Sequence, residues 1–114
     1  MLASKFRISD AKSFQDVKEK GKMKRFPLFN ISLLKRKDED VSRFGFIVSK
    51  KISKLAVQRN RIKRAISEAV RFEMTHVKDG FDVIFLAKDI TTKKSTDEIM
   101  KTTKQTLSDL DLIK

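Results

Sequence analysis

The sequence contains no cysteine, a single histidine and only three glycines among 114 residues. The absence of cysteine excludes disulfides, thiolate catalysis and cysteine-based zinc sites. One histidine, His76, cannot build a histidine-rich metal site. Gly21, Gly45 and Gly80 lie too far apart for a Walker loop or a dinucleotide-binding turn. A nucleotide cofactor, or a metal site built from histidine and cysteine, is therefore disfavoured.

The chain also lacks long hydrophobic runs. No stretch reaches the apolar length of a membrane span, and the N-terminus lacks the apolar centre of a secretory signal. We therefore expect no membrane partner and a cytoplasmic location. A length of 114 residues suits one core, and no linker or repeat divides it, so residues 1–114 are predicted to form a single domain.

What the sequence has in excess is positive charge: 27 Lys and Arg against 15 Asp and Glu give a formal net charge of +12. Residues 43–72 hold nine basic residues and one acidic residue, whereas residues 73–114 hold seven basic and eight acidic residues. Such clustering indicates a polyanionic partner. Because zinc-finger spacing, a leucine zipper and a compact helix-turn-helix pattern are all missing, we expect RNA as the partner and not DNA.

Hydrophobic periodicity and capping residues predict an α/β sandwich with the element order α-β-β-β-α-β-α. Ser9 or Asp10 is expected to cap a first helix, which Gly21 closes in the left-handed conformation. Extended segments follow at residues 22–26 and 28–35. The polar cluster KRKDED, residues 35–40, then predicts a hairpin turn.

Two later segments read as strands separated by a helix. Residues 43–49, RFGFIVS, are apolar on both faces, as is typical of a central strand, and residues 80–88 repeat this pattern. A helix over about 57–72 lies between them, so the two strands are expected to be parallel neighbours joined by a crossover. Ser95 and Glu98 predict a capping box for a terminal helix.

The central helix begins VQRNRIKRAI, with several cations and no acid. Helical periodicity places an apolar stripe on one side, formed by Ile62, Ala65, Ile66, Ala69 and Val70. It places a polar set on the other side, formed by Asn60, Arg61, Lys63, Arg64, Ser67, Glu68 and Arg71. Cations in a first turn oppose the helix dipole by about 0.3–1 kcal/mol each. A phosphate docked on the free N–H groups would reverse that penalty, so we prefer a phosphate site to an ordinary charged face.

The segment SKKISKLAVQRNRIKRAISEAVR, residues 49–71, resembles the signature of bacterial ribonuclease P protein subunits. The runs FGF at 44–46 and FQDV at 14–17 extend the resemblance over most of the chain. It implies a four-stranded sheet whose parallel strands are joined by a left-handed crossover, against the general right-handed rule. It also implies that the single domain binds the catalytic RNA and the 5′ leader of precursor tRNA, and assists 5′ maturation of tRNA as part of the endoribonuclease holoenzyme.

The resemblance carries site residues over by position. The implied RNA-facing set is Lys50, Lys51, Arg59, Asn60, Arg61, Lys63, Arg64 and Arg71. In the implied leader cleft, between the first helix and the sheet, Phe14 matches an aromatic position. Lys18 and Ile31 stand where aromatic residues are frequent in the family. Phe29 is added as a second ring on which an unpaired base could stack.

Catalysis is expected to belong to the RNA subunit and its Mg²⁺ ions, with no cofactor bound by the protein alone and no catalytic residue in this chain. The sequence agrees, because it offers no convincing nucleophile–base pair or carboxylate cluster for two metals. Asp79, Asp82 and Asp89 are interpreted as turn and edge residues. The alternative hypothesis is a non-enzymatic RNA-binding module of the ribosomal-protein kind.

Overall fold

A computed structural model describes residues 2–114, in which the helices and strands follow the predicted order. The helices are α1 (Ala11–Lys20), α2 (Ala56–Glu73) and α3 (Thr96–Asp109). The strands are β1 (Lys22–Arg25), β2 (Phe29–Lys35), β3 (Arg43–Ile47) and β4 (Phe81–Ala87). Short 3-10 segments occupy Ser4–Phe6, Met74–His76 and Asp89–Lys93. Within this part of the chain, no helix combines the length and apolar composition needed to cross a membrane.

The four strands form one sheet in the order β1-β2-β4-β3. β3 and β4 run parallel, so the predicted crossover pair is confirmed. The predicted hairpin after β2 is wrong, because β4 lies between β2 and β3 and pairs antiparallel with β2. The prediction of a central strand over residues 43–49 is wrong for the same reason. β3 is an edge strand, and β4 has a neighbour on each side.

Helices lie on both faces of the sheet. On one face, α2 and α3 contribute Ile62, Ile66 and Ile99 to a core shared with Phe44 and Phe85 of the strands. On the other face, α1 buries Val17 in a smaller cluster with Ile84 of β4. Because neighbouring residues of a strand point to opposite faces, Phe85 and Ile84 mark the two sides of one sheet.

The predicted caps of α1 and α3 are confirmed. The Asp10 carboxylate accepts a hydrogen bond from the Ser13 backbone N–H at 3.0 Å and from the Ser13 hydroxyl at 2.9 Å, and these two bonds lower the pKa of Asp10. The Ser95 hydroxyl accepts from the Glu98 N–H at 3.1 Å.

The expected left-handed backbone at Gly21 is wrong, since its φ is −76°. Glycine is required there for a close approach of chain segments. A Cβ atom at Gly21 would lie 2.4 Å from the carbonyl oxygen of Val17 and 2.9 Å from that of Leu33. The turn from α1 into β1 therefore depends on the missing side chain and not on an unusual φ angle.

A buried ion-pair network fixes the connection between β2 and β3. Asp82 of β4 is 2% exposed and binds the guanidinium groups of Arg36 at 2.5 Å and Arg43 at 2.8 Å. Arg36 also donates to the carbonyl oxygens of Asp40 and Val41, which lie in the connecting loop. The interpretation of Asp82 as a turn or edge residue is therefore wrong, and its carboxylate holds the loop that passes the end of β4.

We expect Asp82→Asn to lower the free energy of unfolding by about 3 kcal/mol, because two arginines lose a buried charged partner. Denaturant unfolding measures this difference. The control is Asp79→Asn, which alters an exposed carboxylate in the preceding turn and should change stability by less than about 0.5 kcal/mol. Equal losses in the two variants would show that the buried network makes no special contribution.

Candidate nucleic-acid interface

The basic helix α2 begins without a side-chain cap. Leu55 occupies the N-cap position and makes no side-chain capping bond, and the first turn contains no acidic residue. The first N–H groups of a helix have no intrahelical acceptor, and they lie at the positive end of the helix dipole. The start of α2 therefore has the local geometry on which the predicted phosphate site depends.

Arg59 and Arg61 are half-buried, and each guanidinium reaches a backbone carbonyl outside α2. Arg59 donates to the carbonyl oxygen of Ser53 at 2.9 Å, and Arg61 donates to that of Lys94 at 3.2 Å. Such bonds offset part of the cost of placing cations against the helix dipole. Both arginines therefore hold neighbouring loops in addition to supplying positive charge.

The other predicted RNA-facing side chains lie on α2 or in the turn before it. Arg64 is exposed and has no ion-pair partner among residues 2–114. Arg71 binds Glu68 at 2.7 Å, and this hydrogen bond lowers the pKa of the Glu68 carboxyl. Of the remaining members, Lys50, Lys51 and Asn60 are exposed and Lys63 is half-buried. Arg64 is thus better placed than Arg71 for a phosphate.

The apolar side of α2 is buried as predicted, at Ile62, Ala65, Ile66, Ala69 and Val70. The placement of Ser67 on the solvent side is wrong, because this residue is 1% exposed. Its hydroxyl donates to the carbonyl oxygen of Arg64 at 3.1 Å. A short side chain that satisfies its polar group within its own helix can be buried at low cost.

α1 packs on the sheet face that carries Ile84, which is the side on which the leader cleft is predicted. Phe14 of α1 is half-buried, and its ring lies so close to Gly45 of β3 that a Cβ atom there would be 2.8 Å from Phe14 Cε1. Lys18 follows four residues later, so it shares a side of α1 with Phe14, and it is exposed. These two predicted cleft residues therefore lie on the α1 side of the sheet.

The other two predicted cleft residues, Phe29 and Ile31, do not lie on the α1 side of the sheet. Both are 0% exposed and belong to the core on the α2 side of the sheet. The prediction is contradicted because strand side chains alternate between faces, so Asn30, Ser32 and Leu34 are the β2 residues that point towards α1. The alternation of apolar with polar residues along β2 is the sequence signal that distinguishes the two faces.

The α1 side of the sheet carries residues that the sequence did not single out. Asn30, Ile47 and Leu86 are half-buried on the α1 side, and Met23 is 57% exposed on the neighbouring edge strand. The side-chain oxygen Oδ1 of Asn30 is buried and has no hydrogen-bond partner among residues 2–114. This side of the sheet thus combines apolar surface with an amide oxygen that has no hydrogen-bond partner among residues 2–114.

The acidic residues do not form a metal site. Among residues 2–114, no three His, Asp or Glu side chains lie close enough together to hold a metal ion. Asp82 is bound to Arg36 and Arg43.

Comparisons with known proteins agree with one another. The Ribonuclease P family model matches residues 2–111. The Ribonuclease P protein component of Synechocystis is 36% identical over 85 residues, which are 75% of this chain and 68% of the relative. That of Clostridioides difficile is 39% identical over 98 residues, 82% of this chain and 84% of the relative. The RNase P protein structure of Staphylococcus aureus matches with a TM-score of 0.87 at 29% identity, covering 96% of this chain and 98% of that one.

We expect Arg64→Ala to weaken binding of ribonuclease P RNA and to make the log–log dependence of affinity on salt shallower by roughly 0.7–0.9, the contribution of one lost phosphate contact. Titration of labelled RNA at several salt concentrations measures both quantities. The matched control is Lys37→Ala, which removes an exposed cation from the loop after β2. If both variants lose affinity equally, net charge and not the position on α2 determines binding.

Proposed function

The chain belongs to the bacterial ribonuclease P protein family, and from this premise we propose how its surfaces divide the work of tRNA processing. As a component of the ribonuclease P holoenzyme, it is part of an endoribonuclease that matures the 5′ end of tRNA. The cationic face of α2 binds the catalytic RNA, and the cleft beside α1 receives the 5′ leader of the precursor. Because the chain belongs to this family, the alternative of a non-enzymatic RNA-binding module of the ribosomal-protein kind is not favoured.

The placement of these two surfaces on opposite sides of one sheet carries the proposal. α2 packs on the side of Phe85, and α1 packs on the side of Ile84. An RNA bound along α2 therefore leaves the α1 cleft open for a second strand. The protein would then lie between two polyanions and reduce their mutual repulsion, since its net charge is +12.

On the α2 side, the binding energy comes mainly from phosphates. The uncapped helix start, the exposed Arg64 and the two lysines Lys50 and Lys51 all favour anions. If about five phosphates are neutralised, the slope of log affinity against log salt should be roughly −3.5 on the single-strand value. Arg59 and Arg61 add charge while holding the loops at the helix start.

On the α1 side, the contacts suit an unpaired strand. Phe14 supplies an aromatic ring for base stacking, which contributes about 1–3 kcal/mol per base. Lys18 supplies a positive charge one helical turn away, and Ile47 and Leu86 add an apolar floor. Because position 18 is lysine and the Phe29 ring is buried on the other side of the sheet, this cleft relies on charge and apolar contact as much as on stacking.

The proposal assigns catalysis to the RNA subunit and to Mg²⁺ ions held by that RNA, with no cofactor on the protein alone. The protein contributes binding and charge neutralisation, so it lowers the Mg²⁺ concentration that the RNA requires. We place the protein in the cytoplasm, where its RNA partners are made.

Reconstitution tests the function directly. Purified protein mixed with ribonuclease P RNA at low Mg²⁺ should stimulate cleavage of precursor tRNA at the mature 5′ end. The reason is that the protein's basic side chains replace part of the screening that Mg²⁺ ions otherwise provide between the two RNAs. Gel analysis of the 5′ product measures the rate. The protein with Mg²⁺ but without the RNA serves as the control and should give no cleavage. Cleavage in that control would assign catalysis to the protein. If the protein does not stimulate cleavage by the RNA subunit, the proposed function is wrong.

We expect Phe14→Ala to weaken holoenzyme binding of precursor tRNA about 5- to 150-fold, the range that corresponds to losing 1–3 kcal/mol of stacking. Affinity for mature tRNA, which lacks the leader, should stay unchanged, as should affinity of the protein for the RNA subunit. Phe14→Leu keeps the packing on Gly45 and controls for folding. An equal loss with mature tRNA would exclude leader binding by Phe14.

A further inference from the structure

A groove of about 590 Å³ runs along α2 beside the start of α3. Its apolar lining includes Val57 and Phe72 of α2 and Met100 of α3. Val57 is 83% exposed and Phe72 is 62% exposed. Single exposed apolar residues are common on protein surfaces, but these residues share one groove on the helix that faces RNA. Phosphate binding gives no reason for that apolar surface.

The polar lining of the same groove suits an anion. Asn60, Arg61 and Arg64 lie along it. The guanidinium group of Arg61 is held at the α3 side by the Lys94 carbonyl oxygen at 3.2 Å and by Thr96 Oγ1 at 3.4 Å. Arg64 makes no such bond to residues 2–114 and is exposed. The groove therefore presents one positioned cation and one that is available to a ligand.

The Phe72 ring is held in place while much of it stays accessible. The Arg71 guanidinium lies 4.7 Å from the ring centroid, a cation–π contact, and Arg71 itself is bound to Glu68 at 2.7 Å. Glu68, which also lines the groove, is thus bound in an ion pair within α2. What the groove offers to a ligand is an exposed aromatic ring beside positive charge.

We propose that this groove binds an unpaired nucleotide of the ribonuclease P RNA, with its base against Phe72 and its phosphate at Arg64. Unpaired RNA bases bind proteins by stacking on aromatic rings, while cations hold the adjacent backbone. The nucleotide comes from the RNA subunit and not from the leader, because α2 and the α1 cleft lie on opposite sides of the sheet. The inference rests on the proposed function, since it requires α2 to face that RNA.

The test is the affinity of Phe72→Ala for ribonuclease P RNA over a series of salt concentrations. Loss of a stacked base should weaken binding about 10-fold at each concentration, without changing the log–log salt slope, because no phosphate contact is lost. Phe72→Tyr, which keeps the ring, should bind like the wild type. The control is Ile90→Ala, which alters a 44% exposed apolar side chain outside the groove and should have no effect.

A folding defect is excluded by thermal unfolding of each variant. Should Phe72→Ala be less stable, Phe72→Leu keeps an apolar side chain without the aromatic face and is expected to show the same loss of affinity. Chemical probing of the RNA gives an independent readout. Wild-type protein should protect one or a few unpaired bases that remain reactive with Phe72→Ala.

The inference is overturned if Phe72→Ala binds the RNA subunit as tightly as the wild type, or if the loss is confined to precursor tRNA. It is also overturned if the substitution instead changes the oligomeric state of the free protein, since the groove would then bind a second copy of the chain. The proposed function fails separately. It fails if the wild type neither binds the RNA subunit nor stimulates cleavage, whereas the groove inference fails alone if the wild type does both and Phe72→Ala equals it.

Discussion

The pairing of β4 with a neighbour on each side is the constraint on which the rest of the structure depends. Because β2 and β3 both bind β4, consecutive β4 residues must enter two different environments, with Phe85 on the α2 side and Ile84 on the α1 side. Asp82 secures this arrangement by binding arginines from both flanking segments, Arg36 after β2 and Arg43 in β3. One buried strand thereby separates the surface proposed for the catalytic RNA from the cleft proposed for the leader.

Charge is distributed over this scaffold unevenly, and its energetic role differs between positions. Arg36 and Arg43 serve the fold through a buried carboxylate. Burial alone would lower the pKa of Arg36, but the hydrogen bonds that its guanidinium donates to Asp38 and Asp82 outweigh desolvation and raise it. Arg59 and Arg61 have both a structural and a proposed binding role. Each donates a hydrogen bond to a backbone carbonyl oxygen, which offsets part of the cost of placing a cation against the helix dipole. Within residues 2–114, the Arg64 guanidinium makes no such bond. The basic residues of this chain therefore differ in role, and the hydrogen-bond or ion-pair partner of each side chain shows whether it stabilises the fold or is available to a ligand.

Local features were predictable from the sequence, and non-local ones were not. The Asp10 and Ser95 caps, the span of α2 and its apolar stripe depend on residues a few positions apart, and all are found. The prediction of a hairpin after β2 was wrong because β2 pairs with β4, a strand about fifty residues further along the chain. Phe29 was misplaced by treating an aromatic ring as a candidate for stacking without applying the alternation of β2 to its face. The role of Gly21 depends on the carbonyl oxygen of Leu33, which only the folded sheet brings near.

The separation of two RNAs by one sheet can be measured with tethered cleavage, because the chain has no cysteine of its own. Lys18→Cys places a single attachment point on exposed α1, and Lys54→Cys places one in the exposed turn before α2. Each variant, carrying an iron chelate that generates hydroxyl radicals, would be assembled with ribonuclease P RNA and precursor tRNA. The opposite-face arrangement predicts cleavage of the leader from position 18 and of the RNA subunit from position 54. Cleavage of the same RNA region from both positions, or an exchange of the two targets, would contradict it.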